Sequence, residues 1–197
     1  TRVEDARAAA AAGADAIGLV FYPHSSRCID VGRAADICRA LPPFITTVAL
    51  FVDAPPAEIE RVLTRVPIDL LQFHGAETAQ QCAQFGKPYM KALRVRPDTD
   101  LLQYAAAYAS ARALLLDAYV AGTAGGTGKT FDWRLIPEQL PLPVVLSGGL
   151  TAANVAAAIK AVNPWAVDIG SGVESAPGVK DAAKIKEFIK GARNANV

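Results

Sequence analysis

The chain has 197 residues, 52% of them hydrophobic, and a formal net charge of +1 from 20 basic and 19 acidic side chains. That length suits a single domain spanning residues 1–197 with a sizeable core, and the balanced charge argues against nucleic acid or a membrane surface as partner. No apolar run is long enough to span a bilayer, and none reads as a signal peptide. Three cysteines, Cys28, Cys38 and Cys82, are odd in number and irregular in spacing, so they form neither a disulfide framework nor a zinc site. Free thiols in a reducing cytoplasm are the expectation, with no metal and no cofactor.

Short apolar runs alternate with helical stretches along the whole chain. A helix is expected over Thr1–Ala12, with Glu4 and Asp5 in its first turn and Gly13 just past its end. Strands then fall at Ala16–Phe21, Thr46–Val52, Leu70–His74, Tyr89–Val95, Ala113–Ala118, Pro143–Ser147 and Ala166–Ile169. They are rich in Val, Ile, Leu and Phe without polar alternation, the pattern of strands covered on both faces in a parallel sheet. Helices fit between them near Val31–Ala40, Pro55–Arg65, Glu77–Phe85, Thr99–Ser110, Thr151–Val162 and Lys180–Arg193, with a short one after Trp133. Asp53 is expected to cap the helix that Pro55 or Pro56 opens, and Thr151 to begin one directly after Gly148-Gly149-Leu150. A repeat of roughly 25 residues per strand–helix unit, with no linker, defines one α/β domain. A doubly wound sheet and a (β/α)8 barrel both fit; the barrel needs one more strand before Thr1.

In either fold the chemistry sits at the C-terminal ends of the strands. Asp117 follows Leu114-Leu115-Leu116, which places a partly desolvated carboxylate at a strand end. Such an environment raises a carboxyl pKa and suits a general acid, against the alternative of a helix or loop cap. His74 ends its strand before Gly75 and can donate to a substrate or move a proton, unless it only bonds a neighbouring loop. Arg27, in the loop after the first strand, can clamp a carboxylate with its planar fork of donors, or be a plain surface arginine. Lys91 and Arg94 read first as a polar layer or loop anchors. Gly125, Gly126 and Gly128, then Gly148 and Gly149, then Gly170-Ser171-Gly172 can each turn backbone N–H groups onto an anion. Glycine clusters after the last two strands match the phosphate site common in barrels. Gly128-Lys129-Thr130 imitates the end of a nucleotide-binding P-loop, but that motif needs glycine at position 123, where Thr123 stands.

Taken together and in order, these segments resemble the N-(5′-phosphoribosyl)anthranilate isomerase family of tryptophan biosynthesis. The resemblance runs over essentially the whole chain. It is carried by Ala16-Ile17-Gly18-Leu19-Val20-Phe21 with Ser25-Ser26-Arg27, by Leu71-Gln72-Phe73-His74-Gly75, and by Leu115-Leu116-Asp117. Gly125-Gly126-Thr127-Gly128 with Phe131-Asp132-Trp133, Leu146-Ser147-Gly148-Gly149-Leu150 and Asp168-Ile169-Gly170-Ser171-Gly172-Val173-Glu174 complete it. It implies a (β/α)8 TIM barrel and an Amadori rearrangement of an aminoaldose to an aminoketose, acting on a phosphorylated small molecule without a cofactor, as a cytoplasmic monomer or homodimer. It also implies that Asp117 protonates the ribose ring oxygen, that Arg27 contacts the anthranilate carboxylate, that His74 and Asp168 line the substrate site, and that the glycine clusters cradle the phosphate.

Two departures stand out. The family's general base is a cysteine in a Lys-Ile-Cys-Gly-x-Thr segment ending the first strand, and Thr1 aligns with the last residue of that segment. The first strand and the cysteine are therefore expected ahead of Thr1, and none of Cys28, Cys38 or Cys82 is a candidate for the base. Gly170 stands where serine is usual. Two rivals remain. Indole-glycerol-phosphate synthase would need a lysine and a glutamate at strand ends; Lys91 is available, but no glutamate ends an early strand. A silent phosphate-binding barrel is favoured by the absent base and opposed by Asp117 and Arg27.

Overall fold

The computed structural model describes residues 1–118 and 132–196. In chain order it contains α1 (Val3–Ala12), β1 (Ala16–Val20), α2 (Val31–Ala40), β2 (Thr46–Phe51), α3 (Pro56–Arg65), β3 (Leu70–Phe73), α4 (Ala79–Ala83), β4 (Tyr89–Val95), α5 (Leu101–Ala107) and β5 (Ala113–Ala118). A 3₁₀ turn at Trp133–Leu135 leads to β6 (Val144–Leu146), α6 (Val155–Val162) and β7 (Ala166–Val167). A second 3₁₀ turn (Ser171–Val173), β8 (Glu174–Ala176), β9 (Val179–Lys180) and α7 (Ala182–Arg193) follow, and a last 3₁₀ turn at Asn194–Asn196 ends the described chain.

β1 to β7 form one sheet in strict chain order, each strand parallel to the next. A doubly wound sheet reverses its strand order at a switch point; this one does not, and its progression is that of a barrel wall. β1 and β7 are the sheet's two edges. In the helix layer, by contrast, α1 touches both α2 and α7, so the outer ring meets where the strand layer stays open.

Side-chain alternation assigns the two faces. Val48, Met90, Ala92, Ala113 and Leu115 cluster on the inner side. Their strand neighbours pack outward. Ala49, Phe51, Leu71 and Phe73 meet Ile37 of α2 and Ile59 and Val62 of α3, Leu93, Val95, Leu114 and Leu116 meet Leu101 and Ala105 of α5, and Leu146 meets Val155, Ile185 and Phe188. Burial on both faces explains why the strands read as continuous apolar runs.

Local signals fix the helix starts. Asp30, Asp100 and Asp181 accept from backbone N–H groups in the first turns of α2, α5 and α7, and Thr78 with Gln81 forms a capping box on α4. Asp53 is not the cap of α3. Pro55 takes the cap position without a side-chain bond, while Asp53 adopts φ +49° and accepts from Ala76 N at 2.7 Å. Thr151 opens a turn rather than the helix itself, and α6 begins at Val155. Lys180 belongs to a small antiparallel pair, β8–β9, and α7 starts only after Asp181.

Candidate active site

The register lays a polar row across the ends of four neighbouring strands. Arg94 on β4 pairs with Asp117 on β5. Ser147, just past β6, bonds Leu116 O through its N–H, and Asp168, just past β7, bonds Leu146 O. Because Met90, Ala92, Ala113 and Leu115 face the interior, period-two alternation turns Arg94 and Asp117 the same way, toward the barrel mouth.

Asp117 is buried, with 8% of its surface exposed. Its Oδ2 lies 3.4 Å from His74 Nε2. β3 and β5 are not neighbours, so this contact spans the inner side above β4. His74 Nε2 is buried and makes no hydrogen bond among the described residues, which leaves a polar atom pointing at the mouth. Ser147 Oγ donates to Asp168 Oδ2 at 2.8 Å. Crowding by protein atoms raises the Asp168 pKa above the ordinary aspartate value; the Ser147 hydroxyl opposes this, and the Asp117 carboxylate adds to it. Asp168 is nonetheless exposed to solvent, and that limits the size of the effect.

Arg27 already clamps a carboxylate, but a protein one. Its Nε donates to Glu174 Oε1 at 2.6 Å and its Nη2 to Oε2 at 2.7 Å. Lys180 Nζ bonds the same Oε1 at 3.0 Å and Gly170 O at 2.7 Å. Burial alone would raise the Glu174 pKa, yet the bonds from Arg27 and Lys180 outweigh it and hold the carboxyl below the usual range.

The glycine loops that follow β6 and β7 lie against each other. Gly148 and Gly149 adopt φ +83° and +66°, conformations that L side chains rarely tolerate. Gly172 packs so tightly that a Cβ there would lie 2.1 Å from Leu150 O. Gly170 stands beside Arg27, whose Nε would be 4.0 Å from a Cβ at that position. Arg27, Gly148, Gly149, Gly170, Ser171 and Gly172 therefore border one corner of the mouth, next to Asp168. Gly126 and Gly128 lie outside the described residues.

Among the described residues no group of three or more His, Cys, Asp or Glu side chains could hold a metal ion, and no helix is long and apolar enough to cross a membrane. Lys91 does not face the mouth. It is 2% exposed on the outer side of β4 and paired with Glu77 at 2.8 Å, which denies it the free amine that a synthase-type lysine needs. Arg94, read from sequence only as a polar layer or loop anchor, reaches the mouth with a buried Nε that has no hydrogen-bond partner. Its end-of-strand place was the signal available. Ser147 ended its expected strand and offered the same signal, whereas Glu174 and Lys180 had no strand-end position to mark them as site residues.

A parallel α/β barrel wall with a buried carboxylate opposite a histidine at the strand ends, beside two closely packed glycine loops, has the architecture of a barrel enzyme with its site at the C-terminal face. A family model described as N-(5′-phosphoribosyl)anthranilate (PRA) isomerase matches residues 1–191. An N-(5′-phosphoribosyl)anthranilate isomerase of Thiobacillus denitrificans is 59% identical over 193 residues, covering 98% of this chain and 94% of that protein. The crystal structure of phosphoribosyl anthranilate isomerase from Thermotoga maritima superposes with a TM-score of 0.90 at 41% identity, over 98% of this chain and 95% of the other. A structure of the enzyme in complex with reduced 1-(o-carboxyphenylamino)-1-deoxyribulose 5-phosphate gives a TM-score of 0.83 at 37% identity over the same shares. The chain belongs to the N-(5′-phosphoribosyl)anthranilate isomerase family.

Proposed function

We propose that this chain converts N-(5′-phosphoribosyl)anthranilate to 1-(o-carboxyphenylamino)-1-deoxyribulose 5-phosphate by an Amadori rearrangement, as a step of tryptophan biosynthesis in the cytoplasm, acting as a monomer or homodimer. The observation that carries the catalytic assignment is the buried Asp117 carboxyl at the end of β5, 3.4 Å from His74 Nε2, with the glycine loops of β6 and β7 at the neighbouring corner.

The steps follow from this placement. With the substrate phosphate seated on the backbone of Gly148, Gly149 and Gly170–Gly172, the ribose ring lies over the row of strand ends. Asp117, as the general acid, delivers a proton to the ring oxygen; the bond from that oxygen to C1 breaks, and the nitrogen lone pair forms the Schiff base. Loss of the C2 proton to a general base gives an enolamine, which tautomerises to the ketose. His74 and Asp168 line the sugar and the anthranilate. Arg27, held by Glu174 on its Nε–Nη2 edge, turns its Nη1 end to the anthranilate carboxylate. Gly126 and Gly128 complete the phosphate cradle.

By the family resemblance the general base is a cysteine, and none of Cys28, Cys38 and Cys82 is assigned that role.

Asp117→Asn tests the acid. The variant keeps shape and hydrogen bonding but cannot protonate the ring oxygen. Loss of a general acid lowers kcat about 10²–10⁴-fold while leaving binding of the product analogue nearly unchanged. Unchanged turnover would remove Asp117 from the acid role.

A further inference from the structure

His74 owes its direction to groups that the reaction scheme does not use. Its N–H bonds Phe51 O on β2 at 2.9 Å. The next N–H, of Gly75, donates to Glu77 Oε2 at 2.9 Å. Both peptide N–H groups flanking the His74 Cα are thus fixed. Lys91 Nζ binds the far side of the same turn, 2.6 Å from Gly75 O, and locks Glu77 Oε2 at 2.8 Å. Glu77 Oε1 accepts from Asp53 N at 2.8 Å, and Tyr108 OH donates to the Glu77 carbonyl at 2.8 Å. The fit is close: a Cβ on Gly75 would lie 2.4 Å from Asp53 Oδ1.

The Lys91 and Glu77 side chains are 2% and 8% exposed. A buried ion pair is a poor device for stability, because desolvating two charges offsets most of their attraction and an apolar pair of equal volume often does as well. An apolar pair could not bond the N–H and C=O of one glycine at once. That double grip is what the charges add, and its output is the residue directly before Gly75.

We infer that Glu77 and Lys91 are positioning residues for the isomerisation: through the Gly75 turn they aim His74 across the mouth at Asp117. The inference rests on the proposed roles of His74 and Asp117. Misplacement by about 1 Å costs on the order of 10²-fold in rate, so loosening this turn should act on kcat much more than on KM.

A double-mutant cycle tests it. Glu77→Gln and the paired Glu77→Gln/Lys91→Met change are each made in the full-length protein, with and without His74→Asn. Folding is checked by circular dichroism, and the fraction of competent sites by titration with the reduced product analogue. With His74 present, the paired change is expected to lower kcat about 10–100-fold with KM changed less than about threefold. In the His74→Asn background the same change should alter kcat less than about twofold, because the residue it acts through is gone. Equal losses in both backgrounds would show a merely structural role and overturn the inference. So would unchanged kcat with His74 present. If His74→Asn by itself leaves turnover intact, the reading of His74 fails, and the positioning role falls with it. Should the paired variant not fold, Glu77→Gln carries the cycle alone, since its amide oxygen can still accept from Asp53 N.

Discussion

Gly172→Ala is a one-methyl change whose consequences can be worked from geometry. The new Cβ would sit 2.1 Å from Leu150 O and 2.9 Å from Ile169 Cδ1, where ordinary contact begins near 3.4 Å. The isoleucine tip can swing aside. The Leu150 carbonyl is backbone, and it belongs to the loop that carries Gly148 and Gly149, so the two glycine loops must part by about 1 Å. Overpacking of this kind costs about 1–3 kcal/mol, which for a domain of this size lowers Tm by roughly 2–12 °C. The separation would also split the proposed phosphate cradle, and a misplacement of that size is expected to lower kcat/KM about 10²-fold, mainly through KM. Thermal unfolding followed by fluorescence, steady-state kinetics, and inhibition by inorganic phosphate measure the three effects. A variant with unchanged Tm and unchanged phosphate inhibition would refute the proposed packing of the two loops. A lowered Tm with undiminished phosphate inhibition would refute their role as the cradle.

Three further outcomes are expected. Arg27→Met leaves Glu174 with Lys180 as its remaining partner; it should cost about 1–3 kcal/mol of stability and raise KM, while Arg27→Lys should restore less than half of the binding because it lacks the planar fork. Full activity in Arg27→Met would remove the arginine from the site. Glu174 titrates below the usual glutamate value in the folded protein, so the folded state binds fewer protons there than the unfolded chain. Its contribution is present above the ordinary value of 4.5 and is lost as pH falls through the lowered folded value. The Tm gap between wild type and Glu174→Gln should therefore narrow on acidification; a gap independent of pH would contradict the pairing. Among the thiols, Cys28 is exposed and Cys82 is buried with its pKa pushed up to about 11 by desolvation. At neutral pH a disulfide reagent should modify Cys28 fast and Cys82 only on unfolding; rapid native-state reaction of Cys82 would contradict its burial.

The seven parallel strands were legible because burial on both faces writes continuous apolar runs into the chain, and the strand-end rule pointed to Asp117 and His74 from position alone. Strand edges were less legible: β3 stops at Phe73 and β7 at Val167, each shorter than its apolar run. The β8–β9 hairpin was not visible at all, since strands of two or three residues leave no periodic trace, and Lys180 read as helix. Asp53 followed by two prolines imitates a helix cap; a tertiary contact to Ala76 won instead. Arg27 and Glu174 are 147 residues apart in sequence, and no local pattern announces such a pair. Arg94 offered the same strand-end position as Asp117 but lies on a strand that also carries Lys91, and only side-chain alternation separates the inward arginine from the outward lysine.

The most direct test of the isomerase reading is the fluorescence of N-(5′-phosphoribosyl)anthranilate followed in time with the full-length protein. Rapid loss of substrate fluorescence, abolished or slowed at least a hundredfold in Asp117→Asn, is the expected result. A folded full-length protein that binds the phosphorylated substrate but leaves its fluorescence unchanged would contradict the reading and favour a silent phosphate-binding barrel.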